Sequence, residues 1–195
     1  MKIIKRIINK LLRTYDNITF PKLRQKGSNV VIERKRKIVN PHHIEIGNNV
    51  FIGSNSFIAA NTEKFGQNFT PIIKIGNNVS ATAMLQIHCM DKIIIEDDVL
   101  IATNVFMCDG SHGYYNGIEP YKNQLLFKIA PIRIGKGSWI GQNVVIMPGV
   151  NIGIQCIIGA NSVVTKNIPD YCIAVGNPCV IKKKWNDVSC EWERK

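Results

Sequence analysis

The stretch IGKGSWIGQNVVIMPGVNIGIQCIIGANSVVTKNIP, residues 134–169, decides the fold once it is written in sixes. Each six begins with Ile or Val, the second residue is usually Gly, and the fifth is Ser, Val, Val, Cys, Ser or Ile. A period of six matches neither the 3.6 of an amphipathic helix nor the 2.0 of a long strand. It predicts short strands joined by tight corners. If each six is one strand plus one corner, three make a triangular coil whose first and fifth side chains turn inward. Coils then stack at about the 4.8 Å spacing of paired strands. Gly and Asn at the corners supply the positive φ that such bends need. The stacked Ile and Val form a column held largely by contacts between neighbouring coils.

The same frame extends toward the N-terminus. IGNNVF, IGSNSF and IAAN run from Ile46, IGNNVS, ATAMLQ and IHCMDK from Ile75, and IEDDVL, IATNVF and MCDGSH from Ile95. Two insertions interrupt it, at residues 62–74 and 113–133. Long excursions from a regular scaffold are where function tends to sit. The second insertion begins directly after His112, the sixth residue of its six and therefore at an outward-facing corner. Trp139 is the sixth residue of the first six after the insertion, so removing the insertion would leave the two one corner apart.

The rest of the chain sets limits. Its 195 residues suit one domain, and 45% hydrophobic content suits a globular core. No apolar run approaches the roughly 20 residues of a membrane span, and the N-terminus lacks a secretory h-region, so a cytoplasmic location is expected. The six cysteines form no C-x-x-C pair and read as free thiols. Of the formal charge of +11, most sits at one end: residues 1–37 carry twelve Lys or Arg against Asp16 and Glu33. In MKIIKRIINKLLRTY, Ile and Leu recur at helical spacing opposite Lys and Arg, which predicts an amphipathic helix. That helix would pack on the protein or a partner subunit, or lie peripherally on the inner face of the cell membrane. Nucleic acid is not an expected partner. The expected organisation is a basic helix and linker over 1–29, the repeat domain over 30–184, and a tail over 185–195 ending in a small strand or helix.

With its repeats and the ending IPDYCIAVGNPCVIKKK, the chain over residues 30–184 resembles the hexapeptide-repeat acyltransferases. It looks most similar to O-acetyltransferases of surface-polysaccharide and lipopolysaccharide pathways, and is also similar to galactoside and maltose acetyltransferases. The resemblance implies an all-β fold, a left-handed parallel β-helix, with acetyl-CoA as co-substrate and no metal required. It also implies a homotrimer with active sites between subunits, and a sugar or glycan acceptor.

In that family a histidine at this place is the general base, here His112. Histidine suits the task because its ordinary pKa of about 6.5 lets it take a hydroxyl proton near neutrality and pass it to the leaving thiolate. Asp109 would orient His112 or bind the acceptor, although a turn-forming Asp before Gly110 explains it nearly as well. Acetyl-CoA would be held in one groove by Trp139, Gln142, Ala160, Thr165 and Lys166, with Lys183 meeting a phosphate. The acceptor is less defined, because the stretch matching the sugar-gripping residues of galactoside enzymes offers Met84, Cys89 and Met90 instead. N-acetylation of an amino sugar and a non-catalytic trimeric scaffold stay open as alternatives. His42 and His43 lack a third ligand at metal-binding spacing, and His88 reads as structural.

Overall fold

The computed structural model describes residues 21–117 and 119–194; the amphipathic helix expected at the N-terminus lies outside them. The described chain winds through three parallel sheets in strict rotation, six times. The first face holds strands Gln25–Lys26, Ile44–Ile46, Ile72–Ile75, Lys92–Ile95, Ile132–Ile134 and Asn151–Ile152. The second holds Val31–Ile32, Phe51–Ile52, Ser80–Ala81, Leu100–Ile101, Trp139–Ile140, Ile157–Ile158 and Cys172–Val175. The third holds Lys37–Val39, Phe57–Ala60, Gln86–Cys89, Phe106–Cys108, Val145–Ile146 and Val163–Val164. Each strand pairs with the strand one coil away on the same face, so the core is a column rather than a layer.

The inward positions follow the frame of six. Ile134, Ser138, Ile140, Val144, Ile146, Val150, Ile152, Cys156, Ile158, Ser162 and Val164, the first and fifth residues of successive sixes, are at most 1% exposed. The two buried serines are satisfied at the corners: the Ser138 hydroxyl donates to Gly153 O at 2.8 Å, and that of Ser162 to Gly159 O at 2.6 Å.

Corner chemistry divides between two positions. Positive φ belongs to the fourth residue of a six, as at Asn49, Asn78, Asp98, Gly137, Asn143, Gln155 and Asn161. The Asn side chains at these corners also bond to one another along the column, Asn104 to Asn143 and Asn143 to Asn161, each at 3.0 Å. The second-position Gly serves a different need, which is space. A Cβ on Gly135 would stand 2.5 Å from the Gly153 backbone, and one on Gly141 would stand 2.7 Å from Ala160 N.

The boundaries differ from expectation in three places. Coiling begins by Gln25, which pairs with Glu45, rather than at residue 30. Residues 72–74 and 132–133 belong to the first face and not to the insertions, because Ile72 already pairs with Lys92 and Ile132 with Ile93. At the C-terminus, strand Val180–Asn186 runs through the expected boundary at 184, folds back on Cys172–Val175, and pairs with Glu191–Arg194. The end of the chain is thus an antiparallel extension of the second sheet, closed by an edge contact of Trp185 and Trp192 at 5.4 Å.

Candidate active site

The chain leaves the third face after Phe106–Cys108, and the manner of its leaving builds the site. Asp109 turns inward and is fully buried. Its carboxylate accepts from the backbone N–H groups of Met90, Asp91 and Lys92 at 2.8, 2.8 and 2.9 Å, and from the Cys89 thiol at 3.3 Å. Burial pushes the Asp109 carboxyl above its ordinary range against the pull of these donors, and burial beside that carboxylate pushes the Cys89 thiol up. Asp109 therefore clamps the corner of the preceding coil. Among the described residues no side chain hydrogen-bonds the His112 ring, so Asp109 is not its orienting partner in this structure.

Two residues later the chain forms a short strand, Ser111–His112, paired antiparallel with Leu126–Phe127, so that His112 stands opposite Leu126. The loop beyond is laced to itself: the Gln124 side chain accepts from Tyr115 N at 3.0 Å and donates to Tyr115 O at 2.9 Å and Glu119 O at 3.0 Å. His112 lies exposed at the rim of a cleft of about 400 Å³. Met90, Cys108, Ile146, Met147 and Pro148 supply its apolar wall, while Asn61, Lys64, His88 and His112 supply its polar groups. A slightly larger hollow of about 470 Å³ on the first face holds no histidine, and its Glu45 and Lys74 pair with each other at 3.0 Å.

His88, which reads as structural in sequence, shares the His112 cleft. Its ring lies between those of Phe57 and Phe106, at 5.0 and 5.4 Å, and burial followed by the nearby Lys64 charge lowers its pKa below the ordinary 6.5. Native His88 thus stays neutral over a range in which the unfolded chain binds a proton. Its contribution to stability is present above pH 6.5 and is lost as pH falls toward the lowered native value. A His88→Gln protein should show a shallower decline of Tm between pH 7 and 5.5. An unchanged slope would remove His88 from this account.

The residues expected to hold the acyl donor fall into two groups. Thr165 and Lys166 stand exposed one coil beyond Met147 and Pro148, on the corner column that borders the His112 cleft, since Met147 N donates to Val164 O at 3.0 Å. Trp139 is 49% exposed on the second face, and Gln142 and Ala160 are exposed at the corner that follows it. Lys183 pairs with Ile173 farther along that same face. Within one chain these residues stand on two sides of the coil, and the groove that the resemblance implies lies between two subunits. His112 and Trp139 do not stand one corner apart, because the whole first face lies between them. His42 and His43, for their part, sit in a turn with rings 4.4 Å apart, and the described residues contain no cluster of three metal-binding side chains.

A solenoid of six-residue repeats defines a class, the hexapeptide-repeat proteins, and here its long interruption brings a histidine to the rim of an apolar cleft. The profile described as the hexapeptide repeat of succinyl-transferase matches residues 43–61 and 131–166. The chain is 34% identical over 156 residues to the galactoside O-acetyltransferase of Escherichia coli K12, covering 80% of this chain and 71% of that one. It is 31% identical over 148 residues to WbbJ of the same organism, named for O-acetyl transfer in lipopolysaccharide biosynthesis, covering 67% of this chain and 76% of that one. Among solved structures, a galactoside acetyltransferase in complex with coenzyme A superposes with a TM-score of 0.62 at 29% identity, covering 98% and 86%. AntD, an N-acyltransferase from Bacillus cereus solved with dTDP and coenzyme A, superposes with a TM-score of 0.75 at 23% identity, covering 89% and 90%. The chain belongs to the hexapeptide-repeat acetyltransferase family, and it is an acyltransferase.

Proposed function

We propose that this protein transfers an acetyl group from acetyl-CoA to a hydroxyl of a sugar used in surface-polysaccharide or lipopolysaccharide synthesis, with His112 as general base. The observation that carries the proposal is the placement of His112 at the rim of the cleft opened by the second insertion. An acceptor hydroxyl seated there would lose its proton to the imidazole as its oxygen attacks the thioester carbonyl. The C–S bond would break as the tetrahedral intermediate collapses, and the same proton would pass to the departing thiolate. A backbone N–H of the following coil would hold the oxyanion, an interaction typically worth about 3 kcal/mol.

The coil is read as left-handed and the assembly as a homotrimer with its active sites between subunits. The division of the donor residues supports the shared site: the second face of one subunit would bring Trp139, Gln142 and Ala160 to the His112 corner of the next. That face also carries an outward row in register, Val31, Phe51, Ser80, Leu100 and Trp139, whose four apolar members are all exposed in the single chain. Covering such a row is a usual reason for subunits to associate.

A mixing experiment tests both parts. His112→Ala and Trp139→Ala proteins, each deficient in acetyl-CoA-dependent thiol release with a panel of sugar acceptors, should regain part of the activity when co-assembled, because some interfaces then pair an intact histidine with an intact tryptophan. No recovery in verified mixed trimers would exclude a shared site.

A further inference from the structure

The first insertion does more than fill space beside the cleft. Its hairpin, strands Glu63–Lys64 and Gln67–Asn68, turns through Phe65 and Gly66 with φ of 50° and 73°. A two-residue turn with both φ positive normally takes Asn-Gly or Asp-Gly, and a bulky Phe is disfavoured there. The Phe65 ring lies edge-on to the His112 imidazole at 5.0 Å, a contact this turn makes possible. The hairpin is also pinned to the strand opposite His112. Leu126 N donates to the Gln67 side-chain oxygen at 2.6 Å, and the Gln67 amide donates back to Leu126 O at 3.4 Å.

This anchoring fixes the base of Lys64, which pairs with Gln67 and lines the cleft. Its ammonium stands 5.4 Å from the centre of the Phe65 ring, and its field helps to lower the pKa of His88. Strand alternation turns Glu63 to the other side of the hairpin. Of the cleft-lining residues none is a carboxylate, and Asp109 nearby is sealed under four donors. A second cation, Lys37, lies over Phe57, the ring that touches His88. Among the described residues Lys64 is thus the one charged side chain lining the cleft besides its histidines, with the buried Asp109 acting on its wall only from behind Cys108.

We propose that the 63–68 hairpin is the acceptor-selecting wall of the cleft, and that Lys64 reads an anionic group on the sugar whose hydroxyl meets His112. This rests on the reading of His112 as the base. The anion is a carboxylate of an acidic sugar or a phosphate of a phosphorylated or nucleotide-linked one. A free protonated amino sugar, with no anionic group of its own, would face Lys64 as a like charge and is disfavoured.

Matched acceptors test the proposal: a methyl hexuronoside against the methyl hexoside, a sugar phosphate against the free sugar, and a methyl aminohexoside as the cationic arm. Wild-type protein should favour the anionic member of a pair by about two- to fivefold in kcat/KM, the range an exposed ion pair supplies. The favoured pair identifies carboxylate or phosphate. Lys64→Gln should erase that preference through KM with kcat kept, and Lys64→Glu should reverse it toward the amino sugar. Calorimetric titration of the same compounds into the CoA-saturated protein reads the preference without turnover. Equal binding of charged and neutral acceptors, a wild-type preference for the amino sugar, or an unchanged ratio in Lys64→Gln would overturn the proposal. If His112→Ala keeps full activity while the Lys64 ratios behave as expected, the assignment of the base fails and the acceptor wall stands.

Discussion

Replacing His112 with alanine lowers kcat by about 10²- to 10⁴-fold, the usual worth of a positioned general base, and leaves folding and acetyl-CoA binding close to wild type. The stability half of this expectation follows from position. His112 is exposed on a two-residue strand that hangs outside the coil, its ring touches Phe65, and no inward column depends on it. The activity half follows from chemistry, since a hydroxyl attacks a thioester slowly unless its proton has somewhere to go. Thermal unfolding measures the first, and thiol release under saturating acetyl-CoA measures the second. A folded His112→Ala protein with wild-type kcat would transfer the base to another group, and His88 in the same cleft would be next to examine.

Asp109→Ala behaves in the opposite way and loses stability before anything else. The substitution strips the acceptor from three backbone N–H groups and a thiol gathered round a fully buried carboxylate. Breaking a buried charged network by removing one partner costs about 3–5 kcal/mol. The midpoint of urea unfolding should fall accordingly, and any activity lost should track the fraction unfolded. Asp109→Asn keeps the shape but turns an amide toward N–H donors, so it should lie between alanine and wild type. A stable Asp109→Ala protein with greatly reduced kcat would restore the orienting role that the sequence suggests.

The contrast between these two residues shows where sequence is informative. The six-residue frame foretells which side chains point inward from residue 134 to 164, because every buried position repeats the same local requirement. It starts late at the N-terminus because Gln25–Lys26, Val31–Ile32 and Lys37–Val39 form a coil whose residues lack the Ile-Gly signature. His112 is legible since it borders an interruption. His88 and Lys64 are not, because stacking of coils and a hairpin's return bring them to the same cleft across long stretches of chain. The donor residues show the same limit. Sixes that follow one another lie on different faces, and only every third six stacks, so near neighbours in sequence such as Trp139 and Val145 belong to different sides of the prism.

The pairing of Ile132 with Ile93 means that the coil resumes in register as if residues 110–130 had never intervened, with Asp109 kept as part of the coil. Folding and recognition are thereby separate variables in this chain. An exchange of either excursion for one of another length or composition leaves the column's arithmetic untouched, so selection, or an engineer, can retune which molecule is accepted without renegotiating the architecture that presents it.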